Sequence, residues 1–417
     1  MLEKLFCIKY IKVFKEENEM KKEEYLSRAK EHLFMTGIND SATKLCSANM
    51  VYGIAKIHFL QEKLGLNPDA TFISTPDATI TRNVERWKNG FSYGGKIEWG
   101  DGALELIILD VLPNACGMLV GGLEKLPEIE NLIDKVTKLS AKTSDIRVEG
   151  IKVIWDFGKG NHFIDVFKVR NIAGIEDFPP YMFIVHGAGD ELRDDNQRGY
   201  GLYYYRSKKL EEIAEKIATP FGKIRFLTGK KATNYYEQYK FVEDFSKKRR
   251  IEFAKRLFGD FKIISNETHQ GLADINTMLL GCHNIKDNKI LPLALRGDLP
   301  AYLVYGKPSF SKEQIENLGF EKRAKKLGLT KKLKNANVVP HGGGYHFPDL
   351  LNVLSVVENN GERYFLMDLN TDRGKKVIKD VREMPYDYRG RMVVLRTLEL
   401  GLAEVATKLI PLYVLKI

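Results

Sequence analysis

Cysteine is scarce in this chain: Cys7, Cys46, Cys116 and Cys282 stand far apart along 417 residues. None forms a CxxC pair, which argues against a disulfide framework or a zinc ribbon and makes a reducing, cytoplasmic setting the expected one. Long apolar runs are missing too. Nothing approaches the roughly 20 residues needed to cross a bilayer, so no membrane association is expected. The opening MLEKLFCIKYIKVFKEENEM is basic and amphipathic, but lysines break its apolar run and no small-residue cleavage site follows. A secretory signal is therefore not expected, and Met20 is a second candidate start. Internal repeats and low-complexity linkers are also absent. Histidine is rare, with only eight residues.

What is present is enough apolar material for a large core: 44% of the residues are hydrophobic. Lysine and arginine outnumber acidic residues, for a net charge of +10. That balance fits a polyanionic partner such as nucleic acid, and equally a lysine-rich solvated surface. Residues 1–65 read as a helical N-terminal extension, since charged runs alternate with Leu, Phe and Ile at helical spacing. From Thr71 the texture turns to short strand-like runs, among them ALELIILDVL, IKVIWDF, YMFIVH, AYLVYG, RYFLMDL, RMVVLRTL and PLYVLKI. Helical stretches such as LEKLPEIENLIDKVTKLSA and SKKLEEIAEKIATPFGK lie between them. Strict strand–helix alternation is lacking, so residues 66–417 are expected to form an α+β domain on a mixed sheet. Two basic runs, SKKRRIEFAKR (246–256) and FEKRAKKLGLTKKLK (320–334), read as solvated helix faces able to track a phosphate backbone.

The histidine contexts carry most of the functional information. His162 follows a glycine turn in IKVIWDFGKGNHFIDV, His186 closes YMFIVH and opens GAGD, His269 ends FKIISNETH, and His341 heads HGGGY. Cys116 stands in PNACGM after another apolar run. Strand ends followed by glycine turns are where distant parts of a chain assemble a site. Thiolate and imidazole together make a transition-metal donor set. Any one of these histidines taken alone reads better as a satisfied core or turn residue. His32, His58 and His346 read as structural or surface residues.

At these residues the chain resembles the RtcB-type RNA ligases, from about Thr71 to Ile417. STPDAT with GFSYGG is similar to the family's PDxH…GxxIGG, PNACGM to DINCGV, GKGNHFIDV to GxGNHFxEV, and VHGAGD to IHSGSRG. AYLVYGK resembles SYVLVG, VPHGGGY resembles HGAGR, and GLAEVATKLIPLYVLKI resembles the family's C-terminal segment. The resemblance implies an RtcB-like α+β architecture with a central metal cleft. Its metal would be manganese, one or two ions, with zinc a second option, held by Cys116, His162, His186 and His269. His341 would be the nucleophile that attacks GTP, with Asp77 a general base beside it. Asn161, Asp165, Gly342, Gly343 and Lys416 would contact the nucleotide. The implied reaction joins RNA 3′-phosphate or 2′,3′-cyclic phosphate ends to 5′-hydroxyl ends, as in RNA repair or the processing of tRNA halves.

The chain also departs from the pattern. Pro113 occupies the place of a metal-binding Asp, with Asp110 the substitute ligand nearest in sequence, and Thr79 replaces the His of PDxH. Tyr345 replaces the Arg of HGAGR, which removes a bidentate phosphate donor. These changes keep two alternatives open: a metal-dependent phosphoesterase, and a non-catalytic RNA-binding paralogue.

Overall fold

The computed structural model describes residues 21–172, 177–285, 289–307, 310–370 and 374–415. Its centre is an eleven-stranded sheet. In chain order the strands are β1 (Leu33–Phe34), β2 (Thr71–Thr79), β3 (Tyr93–Glu98), β4 (Cys116–Leu123), β5 (Phe163–Asn171), β6 (Tyr181–Gly187), β7 (Lys262–Asp274), β8 (Thr277–Leu280), β9 (Ile290–Leu293), β10 (Ala301–Gly306) and β11 (Ala403–Leu415). They lie side by side as β1-β2-β3-β8-β7-β4-β6-β5-β11-β10-β9. The β1–β2 pair is parallel, and every other neighbouring pair is antiparallel. The mixed α+β class read from the sequence is the one observed.

The helices cover this sheet. Helix α1 (Lys22–Glu31) leads into β1, and α2 (Ser41–Lys63) packs on β2. Asp40 starts α2 by accepting a bond from the Thr43 backbone N–H, 2.9 Å away. The described part of the 1–65 segment therefore contains the expected helices and is also tied into the main sheet through β1. Residues 1–20 lie outside the described residues. Helix α3 (Ile129–Ala141) forms where LEKLPEIENLIDKVTKLSA predicts it. The long helix α4 (Gly229–Phe258) crosses β4, β6 and β7. No described helix is long and apolar enough to cross a membrane.

Two local expectations are corrected. RMVVLRTL forms helix α5 (Met392–Glu399), which buries Val393, Val394 and Thr397 and exposes Met392, Leu395 and Leu398. A short apolar run carries too little periodicity to separate strand from helix. In SKKLEEIAEKIATPFGK only Lys208–Ile213 is helical; Glu215–Thr219 turns back as a strand against Gly222–Thr228.

The basic run within α4 also differs from expectation. Arg249 and Arg250 are fully buried beneath the sheet, so they are unavailable to a phosphate backbone. In the second run, Lys325, Lys326 and Lys332 pair with Glu321, Glu31 and Asp69.

Candidate metal centre

Sheet order explains how residues distant in sequence converge. Strands β7, β4, β6 and β5 are neighbours, and each brings one donor to the same end of the sheet. Cys116 opens β4, His162 immediately precedes β5, and His186 lies on β6 opposite Met118 and Phe163. His269 lies in β7 at a register shift between Thr268, paired with Gly117, and Gln270, paired with Cys116. A bulge of this kind re-aims a side chain out of the regular alternation. The turn before Cys116 is strained: Ala115 has φ +55° and Leu112 φ +53°. The Asn114 side chain steadies it by accepting the Cys116 backbone N–H at 3.0 Å.

Cys116 Sγ lies 3.1 Å from His186 Nε2 and 3.5 Å from His162 Nε2. His269 Nε2 is 3.2 Å from His186 Nε2. Cys116, His162 and His186 form a buried group whose ligand atoms all lie within 4.8 Å of one another. Bonds of about 2.3 Å to sulfur and about 2.0–2.1 Å to nitrogen, at tetrahedral angles, give donor–donor edges of roughly 3.3–3.6 Å. The observed distances are at or slightly below that range, so the group can hold one metal ion.

The second nitrogens of His162 and His186 are both hydrogen-bonded, whereas that of His269 is buried without a partner among the described residues. His162 Nδ1–H donates to Asp156 Oδ2 at 2.6 Å, and His186 Nδ1–H donates to the Asn161 carbonyl at 2.7 Å. Both partners accept a hydrogen bond from Nδ1–H, so in the neutral rings Nε2 carries the lone pair that a metal needs. Asp156 is itself held by Arg249, which also bonds Glu191 at 2.7 Å. Arg250 lies on the other side, donating to the Gly187 carbonyl at 3.0 Å.

The electrostatics favour the ligand forms. Burial alone would raise the Cys116 thiol, but His186 and His162 outweigh it and hold its pKa well below the ordinary thiol value. Burial depresses His269 and His186 below the ordinary imidazole value. Burial also opposes charge on His162, yet the Cys116 thiolate and Asp156 push its pKa up to about 10. Without a metal the pair is therefore a thiolate–imidazolium couple, and metal binding would displace the His162 proton. Asp156 is held below the usual carboxylate range: burial would raise it, and Arg249 and His162 override that.

Beside this centre stands His341. Its Nδ1–H donates to Asp77 Oδ2 at 2.9 Å, and its ring centroid lies 4.5 Å from that of His269. Asp77 is fully buried, accepts from Thr75 Oγ1, and faces the His341 and Gly342 backbone N–H groups at 3.3 and 3.4 Å. It lies behind His341 and outside the cavity lining, so its place is that of an orienting carboxylate, not a base open to substrate. The turn after His341 requires glycine. Gly344 has φ +69° and would press a Cβ into the Asp77 carbonyl, and a Cβ on Gly343 would strike the Arg389 carbonyl. Arg389, buried and paired with Asp40, ties the turn to β2 by bonding the Gly343 carbonyl at 3.4 Å and the Asp77 and Ala78 carbonyls.

His162, His186 and His341 line one cavity of about 520 Å³. Asn161, Asp165, Gly342 and Gly343 line it as well, as do the cations Arg82, Lys159, Arg193 and Arg296. Tyr345 clusters there with Tyr386 and Tyr388, and Arg82 stacks 4.5 Å from the Tyr386 ring. Lys416 lies outside the described residues.

Asp110 is corrected. Its carboxylate is fully buried against Lys56 Nζ at 2.9 Å and Arg225 at 3.5 Å, and it does not join the Cys116 group. It was chosen for its nearness in sequence, but the 3-10 turn Leu109–Val111 carries it to the α2 side, where Lys56 takes up its charge. His283 is buried in a short strand pair with Val338–Pro340 and bonds the Pro292 carbonyl at 2.8 Å. Asp156, Arg249, Asn114 and Arg389 were missed. Only Asp156, six residues before His162 at a strand-like run's end, left a trace in the sequence. No family model and no curated protein matches this chain.

Proposed function

We propose that the protein is a metal- and GTP-dependent RNA ligase of the RtcB type, which joins RNA 3′-phosphate or 2′,3′-cyclic phosphate ends to 5′-hydroxyl ends through a guanylylated His341. One observation carries this reading: the carboxylate-oriented His341 shares a single cavity, edged with arginine, lysine and a glycine turn, with His162 and His186 of the Cys/His group. With Asp77 holding the Nδ1 proton, Nε2 of His341 is the nucleophilic nitrogen. It forms a bond to the α-phosphorus of GTP while the bond to the pyrophosphate oxygen breaks. An RNA 3′-phosphate oxygen then takes the guanylyl group and frees His341. A 5′-hydroxyl finally displaces GMP and loses its proton to solvent or a base. Cys116, His162 and His186 would hold a divalent ion, which would supply Lewis-acid polarisation of phosphoryl oxygens when bound. Arg82, Lys159 and Arg296 line the cavity and would offset phosphate charge, and Asp165 and Asn161, which line it too, would meet the nucleotide.

Incubation with α-labelled GTP and a divalent metal tests this. The wild type should accumulate an acid-labile, alkali-stable guanylate adduct, and His341→Ala should reduce it to background. Metal-dependent phosphate release from RNA ends without an adduct would instead support the phosphoesterase reading, which draws on Tyr345 in place of an arginine. RNA binding with neither reaction would leave a binding paralogue.

A further inference from the structure

The donor set carries a second conclusion, independent of whether His341 reacts with GTP. We infer that the centre holds one borderline-soft ion per chain, zinc in preference to manganese, bound by Cys116, His162 and His186 with His269 beside them. The reason lies in which carboxylates are free. Manganese is a hard cation that favours carboxylate, carbonyl and water oxygen, whereas thiolate with imidazole favours zinc and the later divalent metals. Among the described residues, the Cys116 group contains sulfur and nitrogen donors only.

Several carboxylates nearby have other partners, while Asp165 lines the cavity but is not part of the Cys116 group. Asp156 is committed to His162 Nδ1 and Arg249, Asp110 to Lys56 and Arg225, Asp77 to His341 and Thr75, and Asp190 to Arg193. A two-metal site brings its ions about 3.5–4 Å apart, and a hard second ion would call for oxygen ligands. Pro113, in the turn leading to Cys116, offers no such oxygen from its side chain. Sulfur and imidazole therefore set both the number and the softness of the ion.

The test is competitive loading. Full-length protein, stripped with chelator and handled anaerobically, is offered one equivalent of Zn²⁺ with a tenfold excess of Mn²⁺, gel-filtered and analysed by mass spectrometry of its metals. One zinc per chain with only traces of manganese is expected, corresponding to a preference on the order of a hundredfold or more. Cobalt substitution gives a readout that does not depend on complete stripping. Co²⁺ should produce a thiolate-to-cobalt charge-transfer band that Cys116→Ser removes. Two manganese ions per chain, manganese retained on a par with zinc, or a charge-transfer band unchanged in Cys116→Ser would each overturn the inference. Zinc binding without a guanylate adduct would contradict the ligase reading and leave this one standing.

Discussion

Replacing Arg249 by methionine should destabilise the protein by about 3–5 kcal/mol, the usual cost of stripping one partner from a buried ion pair. Its guanidinium is fully buried and bridges Asp156 and Glu191, which are nearly as buried. Methionine fills the volume but leaves two carboxylates facing each other without a cation. The metal centre should feel the loss as well, because Asp156 orients His162 through Nδ1. Removing such an outer partner weakens metal binding by about 10–100-fold. Arg249→Lys restores a charge but not the fork that reaches both carboxylates, and should fall between methionine and wild type. Isothermal urea denaturation gives the first effect and chelator competition the second. Wild-type stability in Arg249→Met would show that the relay is not under the load assigned to it.

The second large effect separates the two carboxylates near Cys116 by function. Asp110→Asn should cost about 3 kcal/mol, because it leaves Lys56, buried within α2, without its counter-charge. Metal content should stay at the wild-type level. Cys116→Ala should do the reverse, losing the metal while changing stability much less in the metal-free protein. A zinc deficit in Asp110→Asn would restore Asp110 as a ligand and contradict its pairing with Lys56.

How much of this was legible in the sequence depends on what each residue needs. Cys116, His162, His186, His269 and His341 could be picked out because each stands at an apolar run's end beside a glycine or small-residue turn, a local pattern. The class of fold followed from the lack of strand–helix alternation. The sheet order did not, since antiparallel pairings such as β4 with β7 join segments far apart in the chain and leave no local mark. Arg249 and Arg250 were misleading for a related reason. SKKRRIEFAKR looks like a solvated face until Asp156, some ninety residues earlier, is brought against it. Asp110 failed in the opposite direction: proximity to Cys116 in sequence was taken for proximity in space, while Lys56 was already beside it. Met392–Glu399 was lost to its β-branched valines, whose strand preference yields here to burial on one helix face.

The central claim is that one sulfur and the imidazoles around it bind the same ion. X-ray absorption at the zinc edge of the loaded protein addresses it directly. One sulfur at about 2.3 Å with nitrogen at about 2.0–2.1 Å is the predicted shell. Cys46 and Cys282 are buried elsewhere and burial raises both thiols, Cys46 to about 12. Among the described residues Cys116 is thus the cysteine that can supply the sulfur, and its contribution should vanish in Cys116→Ser. A shell of oxygen alone, or sulfur scattering that persists in that variant, would contradict the account.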